Sequence, residues 1–162
     1  MKKPKIKMFR LAIFIAVLTM GSISAHAQKV STYQSFVSGL SATDQQTING
    51  LINGAQPTAV VNSTGLHVYG NGSATVLDFK INDFNSVNFS DPALSNVKVI
   101  KIRANSLSDF SQVIDMSSAS VLSQLSCVYI LSSVNATTAQ FNALLLNVPS
   151  NATPCYSVSI PE

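Results

Sequence analysis

Val97-Lys98-Val99-Ile100-Lys101-Ile102-Arg103-Ala104-Asn105 is the stretch on which the fold turns. Apolar residues stand at 97, 100 and 102, charges at 98, 101 and 103, and an Asn closes the run at 105. Such alternation predicts a strand with one buried face and one charged face. Upstream, Ala74-Thr75-Val76-Leu77-Asp78-Phe79-Lys80-Ile81-Asn82 repeats the pattern residue for residue in type.

Working outward from this pair, Phe84 and Val87 follow Asn82 at the same offsets at which Leu107 and Phe110 follow Asn105. A third, looser copy has Leu125, Val128 and Ile130 with Ser133 in place of Asn, and a fourth keeps Thr153, Tyr156, Val158 and Pro161. Over residues 74–160 the spacing resembles the leucine-rich-repeat pattern, L-x-x-L-x-L-x-x-N-x-L-x-x-L. The resemblance implies a curved parallel sheet whose concave face binds a partner, usually a protein. In such a repeat the apolar positions enter a shared core and the Asn side chain bonds backbone groups freed where the strand turns away. An ordinary sheet of strands 76–81, 97–103, 127–131 and 155–160 with helical crossovers accounts for the same residues. Both alternatives share parallel strands, because the connections are long enough to hold helices. Phe110, Val113 and Ile114, and then Phe141, Leu144 and Leu145, read as helical stripes within those connections.

The N-terminal part has a different period. Tyr33, Phe36, Val37 and Leu40 make one helical stripe, and Ile48, Leu51 and Ile52 another, with Ser41 as N-cap between them and Gly54 and Pro57 beyond. A helical pair over residues 31–54 is expected to cover one end of the domain. Short β-type runs follow at 59–61, 66–69 and 76–81, separated by the turn-rich Ser63-Thr64-Gly65 and Gly70-Asn71-Gly72; Asn-Gly in the second is a hairpin signal, and the spacing from Leu66 to Leu77, too short for a crossover, predicts antiparallel strands. The fold class expected is therefore α/β: an N-terminal helical cap and β-hairpin, then a short parallel sheet with helical crossovers.

Residues 1–27 carry Lys2, Lys3, Lys5, Lys7 and Arg10, an apolar run from Leu11 to Met20, and Ala25-His26-Ala27. A basic start, a short apolar run and an A-x-A site predict a secretory signal peptide, cleaved before Gln28. The mature chain is expected to be one globular domain, residues 28–162, with 28–57 as the helical cap and 58–162 as the sheet and repeat region. No membrane insertion is expected after cleavage, and the destination is periplasmic, cell-surface or extracellular. Cleavage removes five of the ten basic residues, so the formal charge of +3 becomes 5 minus 7, or −2. That balance argues against nucleic acid as a partner.

Export to an oxidising space makes a Cys127–Cys155 disulfide the expected state. Both cysteines hold the third position of their repeats, which places them side by side on neighbouring strands. Such a bridge stabilises by roughly 3 to 4 kcal/mol in the chain-entropy account.

The outer strand positions gather Asp78, Lys80, Lys101, Arg103 and Tyr129, with Lys101 expected to pair across the strands with Asp78. This is the candidate binding face, for another protein or an anionic surface ligand. No metal or other cofactor is implied: one mature histidine, His67, and two cysteines cannot supply a zinc site of the usual kind. A hydrolase centred on His67 is the enzymatic alternative, without a G-x-S-x-G elbow to support it. A structural component of the envelope or matrix is a third. Five Asn-x-Ser/Thr sites, at Asn62, Asn71, Asn88, Asn135 and Asn151, read as composition. The sequence favours a non-enzymatic binding or surface-interaction module.

Overall fold

The computed structural model describes residues 29–161. The expected signal peptide and its cleavage point lie outside the described residues. In chain order the elements are β1 (Ser31–Thr32), α1 (Tyr33–Ser38), α2 (Ala42–Asn53), β2 (Thr58–Asn62), β3 (Gly65–Tyr69), β4 (Val76–Lys80), β5 (Val99–Ala104), β6 (Ile114–Asp115), β7 (Cys127–Ser132), α3 (Thr138–Leu144), β8 (Leu145–Leu146) and β9 (Thr153–Val158). Seven strands form one sheet in the order β1-β9-β7-β5-β4-β2-β3, and β6 pairs with β8 in a second, two-stranded sheet. The chain is an α/β fold.

Strands β4, β5, β7 and β9 are successive in this sheet, mutually parallel and adjacent. Each chain segment between them crosses the same face. There Leu77, Phe79, Ile100, Ile102, Val128 and Ile130 meet Leu94, Met116, Leu125 and Phe141 in the main core. The crossovers are mostly 3-10 turns, at Ile81–Ser86, Pro92–Leu94, Leu107–Ser111 and Met116–Val121; the last alone holds an α-helix. Composition explains this. Ser, Asn and Asp bond nearby backbone groups and weaken longer helices, as Asp91 Oδ1 does with Ala93 N–H and Asp115 Oδ1 with Ser117 N–H, both at 2.9 Å. The stripe expected through Phe110, Val113 and Ile114 is accordingly broken: Phe110 lies in a 3-10 turn that ends at Ser111, Val113 is exposed and Ile114 lies in β6.

The Asn positions also behave differently from the repeat pattern. Asn82 and Asn105 are exposed, and Asn82 Oδ1 accepts a bond from Gln112 Nε2. The turn after β5 is held instead by buried Asp109, whose Oδ2 accepts from the backbone N–H of Asn105 and Ser106 at 2.7 and 3.1 Å.

The hairpin forms at a different turn from the one expected. β2 and β3 pair antiparallel around Ser63-Thr64, whereas Gly70-Asn71-Gly72 leads the chain back so that β4 pairs with β2, in parallel. Gly70 permits that return, with φ +93° and a position where an added Cβ would sit 3.2 Å from Pro57 Cα.

The helical pair forms as expected, with Thr32 and Ser41 as N-caps. Its location corrects the sequence reading: the helices lie across the second face of the sheet rather than at an end. Ile48, Leu51 and Ile52 pack there with Val76, Val99, Cys127, Tyr129 and Cys155, and Tyr33, Phe36, Val37 and Leu40 join them. Both faces of the central strands are thus covered, as their apolar residues on both sides require.

Candidate functional site

The register of the sheet sets the rows of the helix-covered face. One row runs Cys155, Tyr129, Lys101, Asp78, Val60, His67, and the next holds Leu131, Arg103 and Lys80. All five residues of the candidate face therefore share one side of the sheet, but they do not form a single open patch.

Tyr129 is buried, its ring edge-on to Tyr33 with centroids 5.5 Å apart and its hydroxyl bonded to Ser157 Oγ. Burial raises the phenol pKa of both tyrosines. Lys101 stands opposite Asp78, as expected, yet its Nζ donates to the Ile52 carbonyl at 2.7 Å. A cation placed on the last turn of α2 satisfies an otherwise unpaired carbonyl and complements the helix dipole. Loss of water there lowers the ammonium pKa. Lys101 is thus a tether for the cap and takes no part in an open surface.

The partner of Asp78 is Arg103, one row further on. Arg103 Nε donates to Oδ1 at 2.7 Å and Nη2 to Oδ2 at 2.5 Å. The planar fork of arginine fits a carboxylate through two parallel bonds, which an ammonium cannot do. This replaces the expected Lys101–Asp78 pair. The Asp78 side chain is 7% exposed and that of Arg103 49%, so the pair is anchored inside and presents its cation outward. The bond to Asp78 raises the Arg103 pKa further.

Beyond α2 the face opens. A groove of about 430 Å³ lies at the carboxyl ends of β2, β4 and β5, lined by Val60, Val61, Asn62, Ser63, Asp78, Phe79, Lys80, Asn82, Asp83 and Arg103. Carboxyl ends of parallel strands are the usual position for ligands in open α/β sheets, and the volume falls in the range of ligand pockets. Lys80 is exposed, and its ammonium makes no hydrogen bond or ion pair among the described residues. Of the predicted face, the structure brings Asp78, Lys80 and Arg103 into this groove and sets Lys101 and Tyr129 beneath the helices. Asn62, Ser63, Asn82 and Asp83 are lining residues that the sequence reading missed. Their signal was position: each lies at or just past the carboxyl end of a strand.

The cysteines also depart from the expected arrangement. Cys127 is in register with Thr153, and Cys155 with Tyr129, so the two are diagonal rather than side by side. They are buried free thiols with Sγ atoms 3.6 Å apart. The contact with Cys127, then burial, raises the Cys155 pKa. A diagonal offset of two residues separates Cα atoms by about 7 to 8 Å, wider than the roughly 4.4 to 6.8 Å of most disulfides.

His67 is exposed on β3, at the sheet edge, with Nε2 2.9 Å from Thr64 Oγ1; that hydroxyl donates to Asn62 Oδ1 at 2.7 Å. Among the described residues no carboxylate bonds to the ring, so the acid–histidine link of a Ser-His-Asp arrangement is not formed there. Among the described residues, too, no helix is long and apolar enough to cross a membrane. Comparison with protein-family models, curated proteins and solved structures finds no match.

Proposed function

We propose that the protein is an exported, non-enzymatic binding module that meets a protein or an anionic surface ligand through the groove at the open end of its charged face. The observation that carries this is the state of Lys80 and Arg103. They are register partners at the groove, the Lys80 ammonium without a partner among the described residues and the Arg103 side chain half-exposed on a buried carboxylate. A buried ion pair is costly to assemble, and one that fixes a cation outward gives a rigid contact point. The five-residue strand β3 lies beside the groove and adds His67 and Tyr69, both exposed, to the same side. We read the four parallel coils as leucine-rich-repeat-like, supported by the adjacency of consecutive strands. The exposure of Asn82 and Asn105 sets them apart from that family's pattern.

A photo-reactive residue in place of Asn82, on the groove, is expected to cross-link a partner from the exported fraction. The same residue in place of Thr43, on the exposed side of α2, is expected to capture none. Cross-links formed equally from both positions, or from neither, would overturn the assignment. Lys80→Glu is the matched charge reversal, since the Lys80 ammonium bonds no group of the fold among the described residues. Reversal at Lys101 or Arg103 would disturb the cap or the buried pair as well.

A further inference from the structure

Two like charges directly opposite each other on neighbouring strands repel. Lys80 and Arg103 are such a pair, and Asp78, the one carboxylate bonded to either of them among the described residues, is taken by Arg103. Of the five donors of a guanidinium, Arg103 spends one on Nε and one on Nη2. That leaves three: one on Nη1 and one on Nη2 along the outer edge, and a second on Nη1 facing the Cδ side. Lys80 adds the three of its ammonium. Two groove-lining residues therefore hold six charged donors without an acceptor among the described residues.

We propose that the group held in this groove is a carboxylate, set between Lys80 Nζ and the outer Nη1/Nη2 edge of Arg103. The proposal rests on the binding-module reading above and names its ligand chemistry. A planar carboxylate matches the free end of the guanidinium through two parallel bonds. It also relieves the Lys80–Arg103 repulsion with a single negative charge. A phosphate dianion fits less well, because Asp78 already offsets the charge of Arg103 and the second phosphate charge meets Asp83 in the same lining. The volume of about 430 Å³ exceeds what a bare carboxylate fills, so the group that carries it enters too. Asp83 lines the groove as an acceptor for the N–H groups of a peptide, and Asn62 and Asn82, whose Oδ1 atoms already accept bonds from Thr64 and Gln112, turn their amide N–H groups to its carbonyls. The carboxylate can be a chain terminus or an acidic side chain, and the chemistry of recognition is the same.

Nuclear magnetic resonance on the whole mature chain tests this, with the Arg103 Nε–Hε signal as reporter. The probes are N-acetylglycine for a terminal carboxylate, N-acetylglutamate α-methylamide for a side-chain carboxylate, N-acetylglycinamide as the uncharged control, and inorganic phosphate. One or both carboxylates are expected to move the Arg103 signal and the Lys80 amide saturably, and the stronger of the two identifies the source. The uncharged control should move neither. Lys80→Met should weaken the response at least tenfold while leaving the rest of the spectrum in place, and Lys98→Met should leave it unchanged. No saturable movement, an equal response in Lys80→Met, or phosphate binding as tightly as the carboxylates would each overturn the proposal. Cross-linking from Asn82 with an unmoved Arg103 signal would remove the carboxylate and keep the binding module. Carboxylate binding with no cross-linked partner would do the reverse.

Discussion

Replacing Arg103 with Ala removes both bonds to a carboxylate that is only 7% exposed. A hydrogen bond to a charged group contributes about 1.5 to 3 kcal/mol, and leaving one charge of a fully buried pair unpaired costs about 3 to 5 kcal/mol. Arg103 is half in solvent, so water reaches the outer side of the pair and the lower range applies. We expect a loss of about 2 kcal/mol. Asp78→Asn leaves the guanidinium free to turn to water, and its cost should be smaller, roughly 1 kcal/mol. The double variant should be more stable than the sum of the single losses predicts, with a coupling of about 1 kcal/mol. Urea unfolding followed by circular dichroism reads this directly: with a slope of about 2 kcal/mol per M, Arg103→Ala should lower the midpoint by about 1 M. A loss below roughly 0.5 kcal/mol with additive single variants would mean the pair behaves as an ordinary surface ion pair. The claim that Asp78 fixes Arg103 would then fail.

Other consequences concern the cap, the return turn and alkaline pH. Lys101→Met should cost about 1 kcal/mol and raise hydrogen exchange at the last turn of α2 more than in β7, because it removes the bond to the Ile52 carbonyl; uniform exchange would contradict the tether. Gly70→Ala meets both a positive φ and the Pro57 backbone, and a loss of about 1 to 3 kcal/mol in a thermal melt is expected; an unchanged melt would contradict that geometry. Cys155, Tyr33 and Tyr129 all have raised pKa values in the folded chain. A raised value means stability that is complete below the unfolded pKa and is lost as pH climbs past it. Stability should therefore be flat to about pH 8 and fall from about pH 9, where an unfolded thiol ionises, and more steeply from about pH 10, where tyrosine does. Lys101, whose pKa is lowered, acts in the opposite sense over the upper part of this window, one group against three. Cys155→Ser should move the onset upward toward pH 10, and an onset unchanged by that substitution would refute the role of the thiol.

The strand register was legible where the repeat kept its length. Val76, Val99 and Cys127 are the third residues of three copies of the pattern and are neighbours in the sheet. The fourth copy slips by two, so that Pro154 lies beside Val128, and Tyr156 beside Ile130, where its ring stacks on Phe141 of α3 with centroids 3.9 Å apart. A slip of two preserves the faces. This is why the cysteines still meet, though diagonally. The place of the helical pair was harder to read, since an amphipathic helix reports that it covers something apolar and not what. The clue was in the strands: Val76, Val99, Cys127 and Tyr129 make the supposed outer face apolar along its first half, and only Lys80 and Arg103 remain polar at its far end. The Arg103–Asp78 pairing was invisible for another reason. Cross-strand opposition put Lys101 beside Asp78, and side-chain shape chose the diagonal arginine. The groove itself is assembled from strand ends separated by up to about 40 positions, a juxtaposition that only the sheet order supplies.

The most direct measurement is a crystal structure of the mature chain grown with N-acetylglycine. We expect α1 and α2 seated on the second face over Tyr129, and the ligand carboxylate within hydrogen-bonding distance of Lys80 Nζ and Arg103 Nη1. A bare groove at saturating ligand, or helices placed elsewhere with Lys101 and Tyr129 in the open, would contradict this expectation.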